Sequence, residues 1–171
     1  VVGVPFDDVE GEAGAGSAYV FVRNGASWTE QQKLALSDPM FFDHFASSVA
    51  ISGDTVLIGV PDRTTASGNE AGAAYVFERS GSIWSEQQTL TASDGAPFSD
   101  FGLAVSLDGD AAVVGARAVR AAYVFARSGV AWSEQAKLTP SDPSYAGGFG
   151  AVAAGRDAAR LFKGRTSHPP A

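Results

Sequence analysis

The chain has 171 residues, 11% of them aromatic and 45% hydrophobic, with 20 glycines and a formal charge of −7. This is enough for one domain with a substantial core, too apolar for a disordered chain, and richer in glycine than helices tolerate. An acidic balance without a basic stripe argues against nucleic acid as a partner, the lack of cysteine excludes disulfides and thiolate metal sites, and no apolar run is long enough to span a membrane.

The chain opens on "VVGVP" (1–5), which has neither the basic start nor the apolar stretch of a signal peptide. It aligns with "LIGVP" (57–61) and reads as the second strand of a unit whose opening strand is missing. A loop follows in which Asp7, Asp8, Glu10 and Glu12 crowd together. Such a cluster is a weak cation chelator or simply a solvated acidic loop. "AYVFVRNGASWTEQQKL" (18–34) then reads as strand, turn and strand.

The middle of the chain gives the clearest pattern. "SSVAIS" (47–52) and "TVLIGV" (55–60) flank Gly53-Asp54, the signature of a tight hairpin. A long loop (61–72) leads to "AAYVFER" (73–79), a turn at Ser80-Gly81-Ser82, and "IWSEQQTL" (83–90). Tyr75 and Phe77 share one face of their strand and Val76 takes the other, so both faces are apolar. The third passage repeats these elements as "FGLAVSL" (101–107), "DGDA" (108–111) and "AYVFARSGVAWSEQAKL" (122–138). "FGAVAAG" (149–155) reads as one more opening strand, and residues 156–171 lose the rhythm as a degenerate tail.

The spacing makes this a repeat. Trp28, Trp84 and Trp132 each lie nine residues after Tyr19, Tyr75 and Tyr123, and seventeen before Phe45, Phe101 and Phe149. Gly3 and Gly59 precede their tyrosines by sixteen residues, but Gly115 by only eight. The difference falls in one loop, where "VPDRTTASGNEAG" has shrunk to "ARAVR". Loops absorb such deletions and strands do not. The units are 1–38 (lacking a first strand), 45–92, 101–140 and the start of another at 149–155.

With "FG" opening units at Phe101-Gly102 and Phe149-Gly150 and "GVP" closing a second strand, the chain resembles the FG-GAP repeat family over residues 1–155. The match is nearest to the bacterial branch that carries "AYVFxRSGxxWxEQxKL". Ala46 stands where the motif has glycine, and Arg117 where it has proline. The resemblance implies an all-β fold of four-stranded antiparallel β-propeller blades, here three plus a partial one. It also implies an extracellular or cell-surface location and a non-enzymatic binding or adhesion role. A β-trefoil or β-prism lectin binding carbohydrate is the alternative for a three-repeat β chain, and a purely structural propeller fragment another.

The same family often carries a calcium loop between its first and second strands. Here that connection is "SGDT" (52–55) or "DGDA" (108–111), so Asp108 and Asp110, like Asp7 and Asp8, are weak metal candidates and no cofactor is expected. The repeated Ser37-Asp38, Ser93-Asp94 and Ser141-Asp142 read as local side-chain-to-backbone turns. Arg23, Arg79 and Arg127 read as charges that discourage edge pairing, and Trp84 as sheet-to-sheet packing. No catalytic motif occurs, and the two histidines, His44 and His168, lie far apart in the chain. Because propellers use four to eight blades, the expected partner is a second copy, whose 149–155 strand completes the first sheet and closes a six-bladed ring. A protein or glycan ligand is a further expectation.

Overall fold

A computed structural model describes residues 1–142 and 149–150. Among the described residues it contains eleven strands in three antiparallel sheets and no helix. The first sheet is β1 (Val2–Val4), β2 (Ser17–Asn24) and β3 (Ser27–Leu34). The second is β4 (Ser48–Ser52), β5 (Thr55–Val60), β6 (Ala73–Ser80) and β7 (Ile83–Leu90). The third is β8 (Phe101–Asp108), β9 (Ala111–Ala116), β10 (Ala121–Ser128) and β11 (Ala131–Leu138). Strand order in every sheet follows chain order. The expected opening strand at 149–155 and tail at 156–171 lie, beyond Gly150, outside the described residues.

Alternation along the strands decides how the sheets stack. On the second sheet, Val56, Ile58, Tyr75, Phe77 and Trp84 point one way and pack with Ala18, Val20 and Leu34 of the first. Leu57, Val76 and Leu90 point the other way, to Leu107, Tyr123, Phe125 and Trp132 of the third. The second sheet is therefore buried on both faces, as its doubly apolar strands require. Phe45 and Phe101 sit in the two seams: Phe45 is 6.0 Å from Phe77, and Phe101 is 5.4 Å from Tyr123, between ring centroids. This serial stacking departs from the three-fold closure that a trefoil or prism needs, because the two clusters join first to second and second to third.

The outer hairpin of each sheet carries the same irregularity. Pairing runs Val20↔Gln32 and then Phe21↔Glu30, leaving Gln31 as an extra residue, and the third sheet repeats this as Val124↔Ala136 and Phe125↔Glu134. The second sheet does so at Val76↔Gln88 and Phe77↔Glu86. A bulge of this kind re-aims neighbouring side chains.

The seams also rest on close backbone approach. A Cβ placed on Gly59 would fall 1.8 Å from the Gly102 carbonyl oxygen, and one on Gly115 would fall 1.9 Å from that of Gly150. The residue facing Gly3 is Ala46, which takes φ +69° where Gly102 takes +94° and Gly150 +83°. Alanine held in the left-handed region costs about 1–2 kcal/mol.

Two outcomes follow for stability. Gly59→Ala is expected to cost about 2–3 kcal/mol in urea unfolding, because backbone rather than a flexible side chain must move. Ala46→Gly is expected to stabilise by about 0.5–1 kcal/mol, the relief of strain exceeding the added freedom of the unfolded chain. The thermal midpoint of that variant should rise by about 2–3 °C.

Candidate functional site

Four-stranded sheets in this order have two ends. The β4–β5, β6–β7, β8–β9 and β10–β11 turns lie at one, and the β5–β6 and β9–β10 loops with the inter-sheet linkers lie at the other.

The turn end is tied down by charge. Ser52 pairs with Thr55 across Gly53-Asp54, and Asp108 with Ala111 across Gly109-Asp110. Arg79 donates its guanidinium to Asp54 and its backbone N–H to the Asp54 carbonyl. Arg127 treats Asp110 in the same way, with Nε 2.8 Å from Oδ1. It also crosses to the second sheet, where Nη1 lies 2.7 Å from Glu78 and 3.2 Å from Thr55. The aromatic faces of Trp84 and Trp132 lie 5.5 Å from these guanidiniums. Arg79 and Arg127 thus lock the two turns of one sheet together, in place of the edge-guarding role expected from sequence.

The acidic residues named as metal candidates are used structurally. Asp8 Oδ1 accepts from the Gly14 N–H at 3.0 Å, closing the first loop. Asp7 Oδ2 accepts from Ser17 at 2.6 Å and meets Lys33 Nζ at 2.7 Å. Those two hydrogen bonds, Lys33 first, hold the Asp7 carboxyl below the usual range. Asp110 is engaged by Arg127, and Asp108 closes β8 beside its turn. Calcium takes six to eight oxygens, and these two-residue turns with an arginine on the carboxylate do not fit the ion. Among the described residues, no group of three or more His, Cys, Asp or Glu side chains is placed so that it could hold a metal ion.

At the loop end the "SD" aspartates reach across the seams, Asp94 from within a local turn that the Gly95 N–H closes on the Ala92 carbonyl at 3.1 Å. Asp38 accepts from Arg63 of the second sheet's loop, at 2.6 Å. Asp94 accepts from Tyr123 Oη at 2.8 Å and from Lys137 Nζ at 2.6 Å, both on the third sheet. Ser93 donates through Oγ and its backbone N–H to Glu134, also on that sheet. The local-turn reading is therefore incomplete: the Asp38 side chain meets the β5–β6 loop and that of Asp94 meets the third sheet, neighbours that sequence distance hides. Arg63 is 7% exposed and also meets Asp43, which is 2% exposed, at 2.5 Å. Burial raises the Asp43 carboxyl above its usual range, against the Met40 N–H and the Arg63 guanidinium.

Beside this ion cluster lies a cleft of about 360 Å³ lined by Phe41, Phe42, His44, Asp62, Thr64 and Glu70. The linker before β4 supplies the first three, and the β5–β6 loop the rest. Phe42 and His44 take φ +57° and +52°, left-handed values that turn their side chains outward from the linker. His44 Nδ1 lies 2.5 Å from Asp62 Oδ2, and its ring is sandwiched by Phe42, 5.5 Å away, and Phe6, 5.0 Å away and edge-on. Phe6, Phe41 and Phe42 are half-exposed or more. Apolar rings with a few converging polar groups are what a ligand pocket offers.

The second seam repeats the linker and changes its chemistry. Phe98 and Asp100 take φ +57° and +55°, and Asp100 pairs with Arg117 at 2.9 Å. The shortened third loop leaves no counterpart of Thr64 or Glu70. Nothing in the sequence spacing connected His44 with Asp62, or Arg63 with Asp43. The signal that was present is the loop itself, long in the second unit and eight residues shorter in the third.

A sequence profile described as FG-GAP repeat matches residues 28–77 and 84–125, just over half of the chain. No curated protein matches the chain significantly.

Asp43→Ala is expected to cost about 3 kcal/mol in denaturant unfolding, since it leaves buried Arg63 with the exposed Asp38 as its remaining acidic hydrogen-bond partner. A loss under 1 kcal/mol would mean that water reaches the guanidinium.

Proposed function

Because the chain belongs to the FG-GAP repeat family, whose repeats build β-propeller-type modules often used in binding and adhesion, we propose that it is a non-enzymatic binding module of a bacterial extracellular protein. The three sheets serve as propeller blades and the loop end as the ligand face. The observation that carries this reading is the cleft at the first seam, where exposed phenylalanines meet Asp62 and Glu70.

The ligand is a basic side chain of a protein partner. An ammonium or guanidinium laid on an exposed ring face beside a carboxylate gains from both contacts. The net charge of −7 draws cations toward the surface at long range. A neutral glycan would use the rings and leave the carboxylate excess idle.

Nuclear magnetic resonance titration with N-acetyl-lysine methylamide, N-acetyl-arginine methylamide and methyl glucoside tests the reading. The two cationic probes should shift the amides of Phe41, Phe42, His44 and Glu70, with the effect fading at high salt. Glu70→Gln should weaken this by about two- to fivefold. Shifts caused by the glycoside and not by the cations would replace the reading with a glycan-binding one. No shift from any probe would remove the cleft as the site.

A further inference from the structure

The strands β7 and β11 are sheet edges, and each has a tryptophan whose backbone is capped by the neighbouring sheet. Gln32 Nε2 donates to the Trp84 carbonyl at 2.8 Å, and Gln32 Oε1 accepts from the Trp84 N–H at 2.8 Å. Gln88 does the same for Trp132, again at 2.8 Å in both directions. A carboxamide is the side-chain group that can donate and accept in this paired way, so it acts as a one-residue strand laid on the edge. The bulge in β3 lets the adjacent Gln31 reach the same neighbour, accepting from Trp84 Nε1 at 2.8 Å.

Among the described residues, the third tryptophan of the series has no such cap. Trp28 occupies in β3 the place of Trp84 in β7, opposite Arg23 as Trp84 is opposite Arg79. It is 65% exposed, whereas Trp84 and Trp132 are each 4% exposed. It lines a depression of about 380 Å³ with Val1, Val2 and Phe21, a surface of the kind that the other two sheets bury.

The pairing register shows what is missing at the other end. Gln32 lies opposite Val20 and Gln88 opposite Val76, but the residue opposite Val124 is Ala136. The third sheet therefore lacks the carboxamide that the first and second present to their neighbours.

We infer that the Trp28 face of the first sheet docks a further four-stranded sheet of the same repeat type whose outer strand carries glutamine at the clamp position. The occupant is built like the first or second sheet and unlike the third. A second copy of this chain, meeting Trp28 through its third sheet, is not that occupant, because the methyl side chain of Ala136 can neither donate to nor accept from the Trp28 backbone. The ring closure by two identical chains expected from sequence lacks this contact.

Ala136→Gln turns the third sheet into an occupant of the stated chemistry, so the chain can test its own surface. Sedimentation and light scattering should show the wild-type chain self-associating weakly and Ala136→Gln tightening that at least about tenfold, the worth of two hydrogen bonds. Trp28→Ser in the Ala136→Gln background should reverse the gain, and acrylamide quenching of Trp28 should fall as the variant associates. Gln88→Ala checks the clamp inside the chain and should raise the quenching of Trp132 without unfolding. Tight wild-type dimers with Trp28 protected would overturn the inference in favour of a second copy. A folded Ala136→Gln variant that associates no better than wild type, or a Gln88→Ala variant with Trp132 unchanged, would overturn the clamp as the determinant.

Discussion

The structure depends on one constraint: a sheet whose strands are apolar on both faces must be covered twice. The second sheet meets it by placing Tyr75 and Phe77 against the first sheet and Val76 and Leu57 against the third. Burying a single Val, Leu or Phe side chain is worth about 1.5–3 kcal/mol. A net hydrogen bond is worth about 0.5–1.5 kcal/mol and an exposed ion pair less than about 1 kcal/mol. Face-to-face packing therefore carries the stability, and the polar contacts across the seams act mainly on geometry.

Those polar contacts fix how the sheets meet. Gln32 and Gln88 hold the edge strands of the next sheet at a set distance, and Arg127 ties the turn end of the third sheet to Glu78 and Thr55 of the second. At the loop end, Arg63 and the pair of Tyr123 and Lys137 do corresponding work through Asp38 and Asp94. The seams are built alike in their apolar parts and differently in their charged parts. A buried guanidinium serves the first seam, and a tyrosine and a lysine serve the second.

That difference separates scaffold from site. The turn end is short and internally paired, so it offers few groups to a ligand. The loop end absorbs changes in loop length, and its linkers hold Phe42 and His44, or Phe98 and Asp100, in left-handed conformations that a compact strand would not allow. With eight residues present in the second unit and absent in the third, one seam has walls for a cleft and the other closes on a salt bridge between Asp100 and Arg117.

By itself the sequence determined the repeat, the strands and which residues share a face. Period-two alternation and recurrent Gly-Asp and Ser-Gly turns are local signals, and these appear as β4 to β8, β10 and β11 within a residue or so of the segments read from them. The recurrence of tryptophan marked an equivalent place in each unit. Tertiary structure alone decided that Trp28 is exposed where Trp84 and Trp132 are buried, because exposure depends on a neighbour and not on the residue. It also decided the partners of Arg63, Asp38, Asp94 and His44. These contacts join residues 18 to 43 positions apart. Only the stacking of one sheet on the next brings such positions within hydrogen-bond range, and no spacing along the chain encodes it.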